Sequence, residues 1–191
     1  MPKTMCIPPC QLVAVKMTTA TMIKRFLEMF KARKYPDPTV KTMDDGTVHV
    51  STELDGEKYA LVYTPSSKFN VRLAEDYVTM FKNEGVAHAI VVYRESITGF
   101  AKRVLLTCVG VDIEIFAAKV LAVNITTHVF QPKHFKVIDA KTRSTFDAKK
   151  WTLKIPRMLV TDPIARYFNF RKGNIIEIHR NDDTIAYRRV V

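Results

Sequence analysis

The residues most able to carry chemistry are two Asp-Ala-Lys triplets, Asp139-Ala140-Lys141 and Asp147-Ala148-Lys149. Each has the form of the acid-x-Lys half of a metal-dependent nuclease core. There, paired carboxylates hold a divalent ion and the lysine steadies the attacking water. Such a core needs a further acid on a neighbouring strand, and both triplets fall in a polar connector. With 26% charged residues, three-residue matches of this kind arise readily by chance. Cys6 and Cys10 have a metal-like spacing, but no second Cys or His pair follows at finger distance, and structural zinc needs four ligands. Three cysteines make no disulfide framework and fit a reducing compartment. His49, His88 and His179 sit in strand patterns. No nucleophile elbow or Gly-rich phosphate loop appears, in keeping with only six glycines. No catalytic constellation, cofactor motif or small-molecule substrate site is legible.

Charge is more informative. The 191 residues carry 30 Lys and Arg against 19 Asp and Glu, a net +11. Residues 1–35 contribute +6, residues 36–148 contribute −1, and residues 149–191 contribute +6. Two basic ends around a neutral middle point to a polyanion, of which nucleic acid is the commonest. No run of about 18 uncharged apolar residues exists, so no membrane span is expected.

The elements that must position these charges follow from periodicity. Residues 1–18, with Pro2, Pro8 and Pro9, read as a flexible extension. Met22, Ile23, Phe26, Met29 and Phe30 recur at helical spacing, capped at Thr18 or Thr19 and stopped by Pro36 and Pro38. Val48 and Val50, the turn Asp55-Gly56 and residues 59–63 read as a hairpin. A second helix carries Val71, Ala74, Tyr77, Val78 and Phe81 and closes at Gly85. Residues 87–93 form a buried-strand type of run. A loop over 94–99 leads to a short helix over 100–108, then to apolar segments at 111–116 and 120–123. Residues 124–150 read as a connector with at most a short helix, and 151–160 is mostly apolar. Thr161 or Asp162 as cap, with Pro163 at the first helical position, opens a further short helix, Gly173 marks a turn, and strands follow at 174–179 and 185–190 around a turn at 181–184. The alternation of elements predicts an α+β fold: an N-terminal α/β domain over 19–120 and a small C-terminal α+β domain over 121–191.

The last third carries a recognisable pattern. Pro156-Arg157, then Asp162-Pro163-Ile164-Ala165-Arg166-Tyr167-Phe168, Lys172-Gly173 and Tyr187-Arg188 occur in order. Upstream stand Val123-Asn124-Ile125-Thr126 with His128, and Pro132 with His134. Over residues 121–191 this resembles the fifth subunit shared by nuclear RNA polymerases I, II and III, a family with an archaeal counterpart. Two departures mark a divergent member. Asn169 stands where the family has Gly after the aromatic pair, and a family turn is shortened to residues 181–184. In the N-terminal half, Arg33-Lys34-Tyr35 and Thr98, Ala101 and Lys102 match, whereas the family's Pro-Ser pair after the threonine is absent.

The resemblance implies a non-catalytic subunit of DNA-directed RNA polymerase without cofactor or metal. Its C-terminal assembly domain would dock on the largest subunit through Pro156, Arg157, Asp162, Pro163, Arg166, Tyr167, Lys172, Gly173, Tyr187 and Arg188. Its N-terminal jaw would approach downstream double-stranded DNA through Arg94, Thr98, Lys102 and Arg103. A nuclear location is implied, nucleolar for a subunit dedicated to polymerase I, virion or infected-cell cytoplasm for a viral homologue. Beside this stand two rivals: a free-standing basic nucleic-acid-binding protein and the metal-dependent nuclease.

Overall fold

A computed structural model describes residues 18–137, 144, 146, 154–180 and 184–191. Residues 1–17 of the extension, with Cys6 and Cys10, and Asp139, Asp147, Trp151 and the turn residues Asn181, Asp182 and Asp183 lie outside the described residues.

Helix α1 (Thr19–Ala32) starts where Thr18 accepts a hydrogen bond from the Thr21 amide, and it buries Met22, Phe26, Met29 and Phe30. Strands β1 (Thr39–Thr42), β2 (Val48–Leu54) and β3 (Glu57–Thr64) follow. The β2–β3 turn is tight because Asp55 and Gly56 both take positive φ, 54° and 80°. Two-residue strands β4 (Lys68–Phe69) and β6 (Ser96–Ile97) pair in parallel and bracket helix α2 (Val71–Glu84) and strand β5 (Val86–Tyr93). Asn70 caps α2 and Gly85, at φ 67°, ends it. Helix α3 (Gly99–Leu106), strand β7 (Asp112–Ala117) and the single-turn helix α4 (Ala118–Leu121) complete this half.

The first sheet runs β1-β2-β3-β5-β7, antiparallel through β3 and parallel from β3 to β7. Its central strands are buried on both faces, which explains the continuous apolar run of β5. Leu61, Tyr63, Ile90, Val92 and Phe116 pack under α1. The alternate residues Ala60, Val62, Ala89, Val91 and Ile113 pack under α2 and α3. The result is a three-layer arrangement with β7 at the edge.

The second half departs from the expected connector. A 3-10 turn (Ile125–Thr127) leads into strand β8 (Lys133–Lys136), in a segment whose sequence predicts no strand. The sequence Lys-His-Phe-Lys gives no alternating signal, because β8 has one strand neighbour among the described residues and its side chains stay largely exposed. Strand β9 (Arg157–Met158), helix α5 (Pro163–Tyr167), β10 (Ile175–His179) and β11 (Ile185–Val190) follow. The second sheet runs β8-β10-β11-β9 and packs Ile176, Ile178 and Val190 against Ile164, Ala165 and Phe170. Ile125 and Phe168 touch both this core and the one under α1, so the two halves share packing. None of the described helices is long and apolar enough to cross a membrane.

Candidate functional site

The expected DNA-facing residues lie on the connection from β5 to α3. Thr98 has an extended backbone and its hydroxyl oxygen accepts from the Ala101 amide at 3.2 Å, so its first task is to cap α3. Arg94 is exposed, donates to the Pro65 carbonyl at 3.3 Å and lies 3.7 Å from Glu95. Lys102 and Arg103 are exposed on neighbouring positions of α3. The Arg103 guanidinium lies over the Phe100 ring at 5.7 Å, and Phe100 is 70% exposed. Sequence reasoning missed that aromatic neighbour, though its place two residues after the capping threonine is a usable signal. Lys102 also lines a groove of about 540 Å³ between α3 and the C-terminal module, shared with Arg166 and Arg171. The three cations, Arg94, Lys102 and Arg103, are thus exposed along the β5–α3 connection and α3, with neutral Thr98 between them in sequence.

The C-terminal motif residues divide into two groups. Asp162 accepts from the Ile164 amide at 2.9 Å and Pro163 occupies the first helical turn, so these two build α5. Tyr167 is buried in the core under α1, and that burial pushes its phenol up to about 12. Arg166 donates to the Ile115 carbonyl on the open edge of β7 and stacks 4.5 Å over Phe116. Asn169 takes φ 55°, the left-handed conformation that explains why Gly is the family's usual residue here. Gly173, at φ 87°, donates its amide to the Val190 carbonyl. Tyr187 is half-buried, with its ring 4.9 Å from Phe146 and its hydroxyl 3.4 Å from Glu177. By contrast, Pro156, Arg157, Lys172 and Arg188 are exposed, as are Pro163 and Gly173 of the structural set.

The residue that joins these parts is Arg33. Its side chain is 2% exposed, yet it makes four hydrogen bonds. Nη1 and Nη2 grip the Glu114 carboxylate at 2.7 and 2.9 Å, while Nε and Nη2 reach the Tyr167 and Arg166 carbonyls at 2.9 and 3.0 Å. Those two carbonyls end α5, where the Arg166 carbonyl also accepts from the Asn169 amide at 3.2 Å. Burial pushes the Arg33 guanidinium down, but the adjacent Glu114 charge and its hydrogen bonds outweigh this, and the net shift is upward. Arg171 pairs with Asp112 on the same strand. Pairings 81 and 59 residues apart leave no local sequence signal.

Among the described residues no group of three or more His, Cys, Asp and Glu side chains could hold a metal ion. His88 lies 3.2 Å from Asp112 and 3.5 Å from Glu57, with Tyr59 stacked on its ring.

A family model described as RNA polymerase Rpb5, C-terminal domain, matches residues 123–190. The subunit rpabc1 of DNA-directed RNA polymerases I, II, and III from Dictyostelium discoideum is 27% identical over 192 aligned residues, covering 95% of this chain and 98% of its own. The RPABC1 subunits of Caenorhabditis elegans and Caenorhabditis briggsae are each 30% identical over 176 residues, covering 86% of this chain and 82% of theirs. The similarity extends through the α1 and α3 half as well as the motif-bearing module, and on that footing the chain belongs to the Rpb5 family, the non-catalytic fifth subunits of DNA-directed RNA polymerase.

Proposed function

We propose that this chain docks on the largest polymerase subunit through its C-terminal module and helps hold downstream DNA with Arg94 on the β5–α3 connection and Lys102 on α3. Similarity along nearly the whole chain to subunits of RNA polymerases I, II and III carries the reading. As for other family members, nucleotide addition belongs to the large subunits and the working location is the nucleus. The docking residues are those left free by the module's own construction: Arg157 and Arg188 for carboxylates, with Lys172 and Gly173 at the exposed turn. Asp162, Arg166 and Tyr167 support that face from within. A division near residue 120 into jaw and assembly units has the support of the two sheets, the first confined to residues 39–117 and the second to 133–190.

Affinity recovery of the tagged chain from native extract should bring down the large polymerase subunits. Recovery of the chain alone, with tight DNA binding in isolation, would select the free-standing nucleic-acid-binding reading instead. For the DNA contact, Arg94→Ala with Lys102→Ala should lower DNA retention by the assembled polymerase. The slope of log affinity against log salt should become shallower by about 1.8 if both residues neutralise phosphates. An unchanged slope removes this connection from the DNA path.

A further inference from the structure

We infer that the groove along the free edge of β8 is a second protein-binding surface, which takes an acidic, extended segment of another protein as an added strand. The second sheet ends at β8, whose only strand neighbour among the described residues is β10. Val137 donates its amide to Ile175 at 2.9 Å, directly opposite in the antiparallel register. Backbone direction alternates along a strand, so Phe135 and Lys133 also face β10, while the N–H and C=O groups of His134 and Lys136 face away. They open into a groove of about 490 Å³, lined by consecutive residues of β8 and thus running along its edge.

The groove's opposite wall is the end of α1, with Lys34 and Tyr35, and its floor includes Phe168 and Phe170, stacked 5.3 Å apart. Phe135 is 47% exposed at the rim. Lys34, Lys133 and Lys136 are on or near the surface, and none of the described residues lining the groove is acidic. An added strand sends alternate side chains to the two faces of the sheet, so its apolar ones meet Phe168 and its carboxylates meet Lys133 on the opposite face, while its backbone completes the His134 and Lys136 pairs. A second copy of this chain does not fit. Its net charge is +11 and its own edge carries the same lysines, an arrangement that repels like edges. A nucleic acid would meet the lysines but leave the alternating backbone donors and acceptors unpaired. The surface is distinct from the proposed docking face, where Arg157 lies on β9 at the other edge of the sheet.

The test uses the isotope-labelled full chain and, as probe, a blocked peptide of about ten residues alternating Glu with Val, long enough to span the strand. Its controls are the same peptide with Lys for Glu, and an oligothymidylate of equal length. The glutamate peptide should bind saturably and slow amide exchange at His134 and Lys136, and the lysine peptide should not. Lys133→Glu with Lys136→Glu, both on the surface, should weaken binding by about tenfold or more. His134→Pro removes one outward N–H without touching the ladder to β10, and should abolish the protection at Lys136 while leaving the charges in place. Equal binding of the lysine peptide, tighter binding of the oligothymidylate at the same amides, concentration-dependent protection of those amides in the chain alone, or no binding of the glutamate peptide would each overturn the inference.

Discussion

Replacing Arg33 with Met is the most exacting perturbation the structure offers. The substitution keeps the aliphatic stem in place and removes only the guanidinium. Four hydrogen bonds are lost at once, and Glu114, with a side chain only 16% exposed, is left as a carboxylate without its counter-charge. Breaking a buried pair from one side costs about 3–5 kcal/mol, because the remaining charge keeps its desolvation penalty. For a chain of this size each kcal/mol moves the melting temperature by about 2–4 °C, so a drop of roughly 6–20 °C is expected. Glu114→Gln isolates the charge, since the amide oxygen can still accept from Arg33. The Arg33→Met, Glu114→Gln double variant should then cost clearly less than the sum, with a coupling of about 1.5 kcal/mol or more. Thermal unfolding gives the total. Amide exchange gives the location: α5 and the carbonyl-bearing turn at 166–168 should open faster while β5 keeps its protection. A cost under about 1 kcal/mol, or additive single variants, would refute Arg33 as the tie between the halves.

Other outcomes follow from the same contacts. Asp162→Ala removes the α5 cap and should lower stability by about 1 kcal/mol, read as a melting shift of about 2–4 °C; an unchanged melting point would show the helix is held by packing alone. Burial pushes both His49 and His134 below the ordinary value of 6.5. They stay neutral in the folded chain while the unfolded chain takes up protons, so stability should fall as pH drops below about 6.5. Urea midpoints between pH 7.5 and 5 would check this, with flattening expected in a His49→Gln, His134→Gln variant; a flat wild-type profile would contradict it. Glu28, pushed up by burial but brought below its usual 4.5 by hydrogen bonds from Arg25 and Asn124, adds a second loss in the more acidic range.

Legibility in the sequence tracks how local the cause is. The apolar stripe of α1, the Asp55-Gly56 turn and the Gly85 stop of α2 each act within a few residues, and each forms where periodicity and turn chemistry predict. The Asp162-Pro163 start of α5 is equally local. The β8 segment reads as connector because an exposed edge imposes no burial alternation, and β1, with one strand neighbour and exposed side chains, escapes for the same reason. At the candidate site, motif matching picks out positions but not the directions in which their side chains lie. Arg166 and Tyr167 stand at the centre of the family pattern, and the fold turns both inward. Glu114 carries no motif at all, yet it sets where Arg33 lies.

The two basic ends of the chain acquire a meaning that net charge alone does not supply. Among the described residues strand β7 is an open sheet edge, a place where unpaired backbone invites stray association. Three arginines from the basic ends close on it: Arg171 on Asp112, Arg33 on Glu114 and Arg166 on the Ile115 carbonyl. These pairings protect the edge and fix the C-terminal module against the sheet that carries α3. Because α3 follows the connection proposed to meet DNA, and the module carries the proposed docking face, the arginine contacts on β7 set the geometry between anchor and jaw. Part of the +11 therefore serves to orient the chain's own halves. Arg94, Lys102 and Arg103 on one side and Arg157, Lys172 and Arg188 on the other stay exposed, and those are the cations proposed to meet DNA and the docking partner.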